Sequence, residues 1–151
     1  MSGETPFPEL VAFMPHRPPM LMIDAMIVHT ADECVCTKTF RAGDPLVENG
    51  SVTSLVTIEL FAQTAAAQFG YAGFLAGGLM TSGALLGTRK IDLFVGSFET
   101  DKEIVIRAKQ VFAIPPAAQF ECTAEIEGRP VASGTINVAM GAPPAAGVLA
   151  P

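Results

Sequence analysis

From about Leu55 to Gly77 the chain reads as one long helix, apolar almost all the way round. A helix with a single apolar stripe can lie on a surface. One that is apolar on every side has to be enclosed. The remainder of the chain must therefore supply walls for it. One carboxylate, Glu59, interrupts the run, and Gln63 follows one turn later on the same face. An acid in such a setting marks a functional site, a carboxylate on an exposed strip of the helix, or one buried to hydrogen-bond loop amides. The helix dipole favours a negative group in these first turns, and a positioned carboxylate is suited to proton transfer.

The stretch Leu60 to Leu79 has the length of a membrane span, and Gly73 and Gly77 make a GxxxG pattern. Gln63, Thr64 and Gln68 interrupt it, and much of the rest is Ala and Gly. A buried central helix is therefore expected, with no membrane partner.

The flanking pattern is that of strands. Met20 to His29 and Glu33 to Arg41 precede the helix. Ser82 to Phe98, with a bend near Gly87 or Gly96, then Glu103 to Ile114, Gln119 to Glu127 and Arg129 to Met140 follow it. Glu127-Gly128-Arg129 predicts a tight hairpin turn. Pro6 to Phe13 reads as a short helix, Pro15 to Pro19 as a stiff loop, and Ala42 to Thr53 as a loop. Thr53 or Ser54 is placed to cap the long helix. The expected class is α+β: an antiparallel sheet curled around one long helix, the hotdog fold. Residues 1–140 form its single domain and 141–151 a loose tail rich in Ala, Pro and Gly.

Half of the 151 residues are apolar, enough for one sizeable core. Only 16% are charged, so part of the surface is expected to be covered by another subunit. A net charge of -6 argues against nonspecific nucleic-acid binding. Three cysteines, two of them at Cys34 and Cys36 on one face of a strand, point to a reduced cytoplasmic protein. No signal sequence is read at Met1 to Glu9. Two distant histidines and this cysteine pair match no metal spacing, so no metal and no cofactor are expected.

Met14-Pro15-His16-Arg17-Pro18-Pro19-Met20-Leu21-Met22-Ile23-Asp24 resembles the opening PHRxPxLxxD signature of the beta-hydroxyacyl-ACP dehydratases. Ile58-Glu59-Leu60-Phe61-Ala62-Gln63 resembles their helix signature. The likeness covers roughly residues 8–140 in the same element order. It implies a dimer with a continuous sheet, and a site at the interface served by a histidine and the helix carboxylate. It also implies a helix N-terminus aimed at a thioester carbonyl. One departure is clear. The family's GHFP loop histidine has no counterpart in Asp44 to Ser54. The sequence is closest to a divergent subgroup without it, of the kind found in aryl-polyene and other specialised fatty-acyl clusters.

The resemblance implies dehydration of a 3-hydroxyacyl thioester, on acyl carrier protein or coenzyme A, to a trans-2-enoyl thioester. Glu59 is the expected acid or base and His16 its possible partner. His16 has a structural reading too, since the family carries it alongside its catalytic histidine. Gln63 would orient Glu59, hold a loop backbone or contact substrate. Asn49 and Ser54 are candidates for substrate contact. Phe61, Ala65 and Phe69 are candidates for an acyl tunnel. His29 is expected at the surface, and Asp24 is placed to pair with Arg17. Arg17, Arg41, Arg89, Lys90, Arg107 and Lys109 would make a basic rim for an acidic carrier if they converge. Two alternatives stay open: a hotdog thioesterase, and a non-catalytic subunit that pairs with an active dehydratase as a heterodimer.

Overall fold

The computed structural model describes residues 6–78 and 82–141. The long helix, α1 (Thr57–Leu75), lies across one face of a six-stranded antiparallel sheet. In chain order the strands are β1 (Ala25–His29), β2 (Glu33–Thr39), β3 (Ser51–Thr53), β4 (Ser82–Leu93), β5 (Ser97–Glu99), β6 (Glu103–Ile114), β7 (Ala117–Ile126) and β8 (Arg129–Gly141). The main sheet runs β1-β2-β6-β7-β8-β4, and β3 pairs with β5 in a separate two-stranded sheet. This is the hotdog arrangement. Among the described residues no helix is long and apolar enough to cross a membrane.

The two-residue pleat decides what the helix meets. On β6, Ile104, Ile106 and Ala108 are buried, while Arg107 and Lys109 point outward. Ile106 is paired with Cys36 on one side and Ala124 on the other, and Ala108 with Cys34 and Cys122. Leu60, Phe61, Ala65 and Ala67 of α1 fill the other half of the same core, all fully buried. Small Ala side chains in mid-helix let α1 come close to the sheet. All three cysteines are free and buried. The hydrogen-bonded Cys36 thiol and then burial push the Cys34 thiol, and burial the Cys122 thiol, well above the usual range, so they behave as small apolar residues.

Glu127 and Gly128 both take positive φ, 54° and 76°, and close the β7–β8 hairpin as read from the sequence. α1 ends in Gly77 at φ 87°, with Gly78 N–H donating to the Gly73 carbonyl at 2.9 Å and Gly77 N–H to that of Phe74 at 3.1 Å. The bend expected near Gly87 or Gly96 in the strand after the helix has a counterpart at each. The register shifts on either side of Gly87, and the chain leaves the main sheet after Leu93 and pairs with β3 from Ser97, just past Gly96.

Several elements differ from expectation. The N-terminal helix is only a single 3-10 turn, Leu10–Ala12, because Pro8 disfavours helical geometry in the residue before it and Pro15 diverts the chain soon after. The expected loop 42–53 contains β3, too short to show a period. A 3-10 turn, Ser54–Val56, precedes α1, and Thr53 Oγ1 accepts its Leu55 N–H at 3.4 Å. The strand expected from Met20 begins only at Ala25, since the backbone of Met20 to Ile23 bonds to a side chain of α1 instead of a strand. Of the expected tail, Gly141 closes β8, and 142–151 lie outside the described residues.

Gly70 of α1 has no room for a side chain, since a Cβ there would overlap the Phe13 carbonyl. Gly73 faces open space. Gly70→Ala is therefore expected to lower unfolding stability by about 1–3 kcal/mol through overpacking. Gly73→Ala is expected to leave it level or raise it by up to about 1 kcal/mol. Urea denaturation of the two variants compares them.

Candidate active site

Gln63 is 1% exposed, yet every hydrogen-bonding position on its amide is filled. Its Oε1 accepts the N–H of Met22 at 2.7 Å and of Ile23 at 3.3 Å. Its Nε2 donates to the Met20 carbonyl at 2.8 Å and to Glu59 Oε2 at 2.7 Å. Glu59 and Gln63 meet because residues four apart on a helix stand one above the other. Two of the roles open for Gln63 are thus filled, since it orients Glu59 and holds a loop backbone, and no position on its amide is left for substrate contact. Glu59 itself is exposed in the single chain.

The segment bound by Gln63 continues directly from the loop that carries His16. On the other side of that loop, Phe13 sits against Gly70. Arg17 ties the loop internally, its guanidinium donating to the Met14 carbonyl at 2.6 Å and the His16 carbonyl at 2.8 Å. His16 is half-buried, and its Nδ1 is buried with no hydrogen-bond partner among the described residues. Burial lowers its pKa below the ordinary 6.5, and the charge of Glu59 opposes that shift. Two candidates far apart in sequence, His16 and Glu59, are thus brought within electrostatic reach inside one chain. A neutral imidazole with an unengaged ring nitrogen can accept a proton.

The other candidates fall elsewhere. Asn49, at φ 53°, and Gly50 form an exposed two-residue turn closed by mutual backbone bonds between Glu48 and Ser51. Ser54 is buried and its N–H donates to the Gly96 carbonyl at 3.1 Å, so that amide is already engaged. Phe61 lies two residues on from Glu59, on roughly the opposite side of the helix, and Ala65 one turn further. Both are completely buried in the core. Phe69 is half-buried, edge-on to Phe120 with ring centroids 5.6 Å apart.

His29 is not at the surface. It is half-buried, edge-on to Tyr71 at 4.9 Å, with Nε2 3.2 Å from the Gln68 carbonyl. Nor does Asp24 pair with Arg17. It takes the Thr39 N–H at 2.7 Å and the Lys38 ammonium at 3.3 Å, because it enters β1 opposite the end of β2. The six basic residues do not converge within one chain. Arg17 is spent on loop carbonyls, while Arg41, Lys90 and Arg107 are paired with Asp101, Asp92 and Glu33. Arg89 and Lys90 on β4 lie three strand spacings, about 14 Å, from Arg107 and Lys109 on β6.

The fold is shared with known structures. The dehydratase heterocomplex ApeI:P from Xenorhabdus doucetiae aligns with a TM-score of 0.85 and 20% identity, over 90% of this chain and 93% of that one. A homologue of HP0420 from Helicobacter felis aligns at 0.68 with 13% identity, over 90% and 91%. A hypothetical thioesterase with coenzyme A from Streptococcus pneumoniae aligns at 0.55 with 15% identity, over 78% and 84%. Among curated proteins, none matches the sequence. The model of the ApeP-like family, described as ApeP dehydratase, matches residues 8–148, and the chain belongs to that family of dehydratases.

Proposed function

We propose that this dehydratase-family chain eliminates water from a 3-hydroxyacyl thioester, carried on acyl carrier protein, to give the trans-2-enoyl thioester. The observation that carries the reading is that His16 lies within electrostatic reach of Glu59 in one chain, with Gln63 bonded both to Glu59 and to the segment that follows His16. His16 replaces the loop histidine that Asp44 to Ser54 lacks. Neutral His16 takes the proton from C2. That proton passes by way of the Glu59 carboxylate to the C3 hydroxyl, which departs as water while the C2–C3 double bond forms. Exposure of Glu59 in the single chain accords with a site completed by a second subunit.

The second subunit would add to the free edge of β4. The strand ends the main sheet, and Leu86 on it is 59% exposed, near Phe112 and Ile114 at 57% and 64%. Such a row of unpaired backbone groups beside apolar side chains suits a continuous sheet across two chains. The partner is a second copy or a related dehydratase subunit. The ApeI:P relative, being a heterocomplex, favours a second reading in which this chain supports an active partner rather than turning over substrate itself. The thioesterase relative supports only the fold.

Assays with 3-hydroxyacyl and enoyl carrier-protein thioesters, following water loss or addition by mass spectrometry, test this reading. Glu59→Gln and His16→Ala each lower kcat/KM by about 10²–10⁴-fold, the usual worth of a positioned acid or base. Full activity in Glu59→Gln sinks the mechanism. A chain that turns over nothing alone but raises the activity of a co-purifying dehydratase establishes the supporting role.

Because burial holds His16 below 6.5, the imidazole is neutral at pH 7 and becomes protonated only as pH falls through that lowered value. Activity is expected to rise with pH in the range below 6.5 and to level off above it. A rate profile that His16→Ala leaves unchanged in this range rules His16 out as the base.

Gln63→Leu leaves two backbone N–H groups and one carbonyl without their partner. It is expected to destabilise the chain by about 2 kcal/mol or more, and to lower kcat more than Gln63→Glu does, as thermal unfolding and steady-state kinetics will show.

A further inference from the structure

A cavity of about 270 Å³ opens between the segment 18–22 and the loop 44–46. Pro18, Pro19, Leu21, Met22, Phe40 and Leu46 make its walls apolar. Its one cation is Lys38, whose side chain is only 12% exposed. An ammonium carries three N–H donors. One goes to Asp24 Oδ1 at 3.3 Å, and a second faces the Phe40 ring, 4.9 Å from its centroid. The third remains for a ligand.

The charges around Lys38 decide what kind of ligand that is. Asp24 already balances the ammonium. Asp44, whose carboxylate accepts the Arg41 N–H, also lines the cavity and would repel an anion. A neutral oxygen acceptor completes the set without displacing either acid. The volume lies just under the range of about 300–1,000 Å³ typical of drug-sized ligands, so the site takes a slender segment rather than a bulky whole. Met22 ties the cavity to Glu59: the residue lines the wall, and its N–H donates to Gln63, which holds Glu59.

We infer that this cavity seats the amide-bearing pantetheine arm of the substrate, with an amide carbonyl accepting from Lys38 Nζ. The inference rests on the thioester reading above. Coenzyme A and acyl carrier protein carry the same arm, so the experiment must separate them.

Pantetheine, coenzyme A and holo acyl carrier protein are titrated in turn into the full chain, followed by NMR of the methyl and amide groups. Pantetheine is expected to shift Leu21, Met22 and Leu46. Lys38→Met is expected to weaken it about tenfold, the worth of one charge-assisted hydrogen bond. Leu46→Trp fills the cavity from the exposed loop and is expected to weaken pantetheine comparably while leaving Lys38 in place, which covers the case where Lys38→Met folds poorly. Weakening of coenzyme A and carrier protein alike supports the shared arm, and weakening of one alone identifies the source. Shifts confined to other residues, or unchanged affinity in both variants, overturn the site.

Failure here is distinguishable from failure of the dehydration reading. Glu59→Gln should retain pantetheine affinity while losing turnover. Turnover with unchanged KM in both cavity variants removes the cavity and leaves dehydration standing. Pantetheine bound in the cavity, with no thioester turned over, does the reverse.

Discussion

The arrangement of the site depends on one buried amide. Gln63 sits in an apolar helix where an unpaired polar group would cost about 1–3 kcal/mol, and it avoids that cost by using all four of its hydrogen-bonding positions. Three go to the backbone of Met20 to Ile23, which has no strand neighbour of its own there. The fourth goes to Glu59. The geometry of the acid and the path of the first loop are therefore set by the same side chain. Seven residues further along α1, Gly70 receives Phe13. The loop bearing His16 is fastened at both ends to one helix, two turns apart.

The sheet accounts for why that helix is so apolar. Alternation along β6, β7 and β8 delivers an unbroken layer of Ile, Ala, Phe, Cys and Val to α1, while Arg, Lys, Glu and Thr face away. The layer meets Phe61 and Ala65 on the side of α1 turned from Glu59. Position on the helix thus divides the candidates. Glu59 and Gln63 face the first loop, and Phe61 and Ala65 serve the core. The cavity at Lys38 lies on the loop side of this division, where backbone held by side chains leaves gaps that a strand would close.

Much of the fold was legible because its signals are local. β6, β7 and β8 each run for ten residues or more, β7 with the two-residue period along its whole length, and their observed bounds fall close to those read from the pattern. β3 and β5 were not separately legible, since three residues contain no period and their pairing is long-range. The expected strand from Met20 failed for a different reason. Its composition suits a strand, but the partner its backbone found is a side chain 40 or more residues away. His29 was misplaced because a strand end reads as exposed, whereas Tyr71 and Gln68 of α1 come down on it.

By itself the sequence determined that a long apolar helix must be wrapped by an antiparallel sheet and that Glu59 and Gln63 share a helix face. These follow from residue type and from periods of two and 3.6, which need no knowledge of distant neighbours. Only the tertiary structure decided that His16 comes within electrostatic reach of Glu59, that Asp24 prefers Lys38 to Arg17, and that the Ser54 amide is already engaged. Each is a choice among competing partners separated by tens of residues. Hydrogen bonds and charges act over a few ångströms, so those choices are made only when packing of the helix on the sheet has fixed which groups meet.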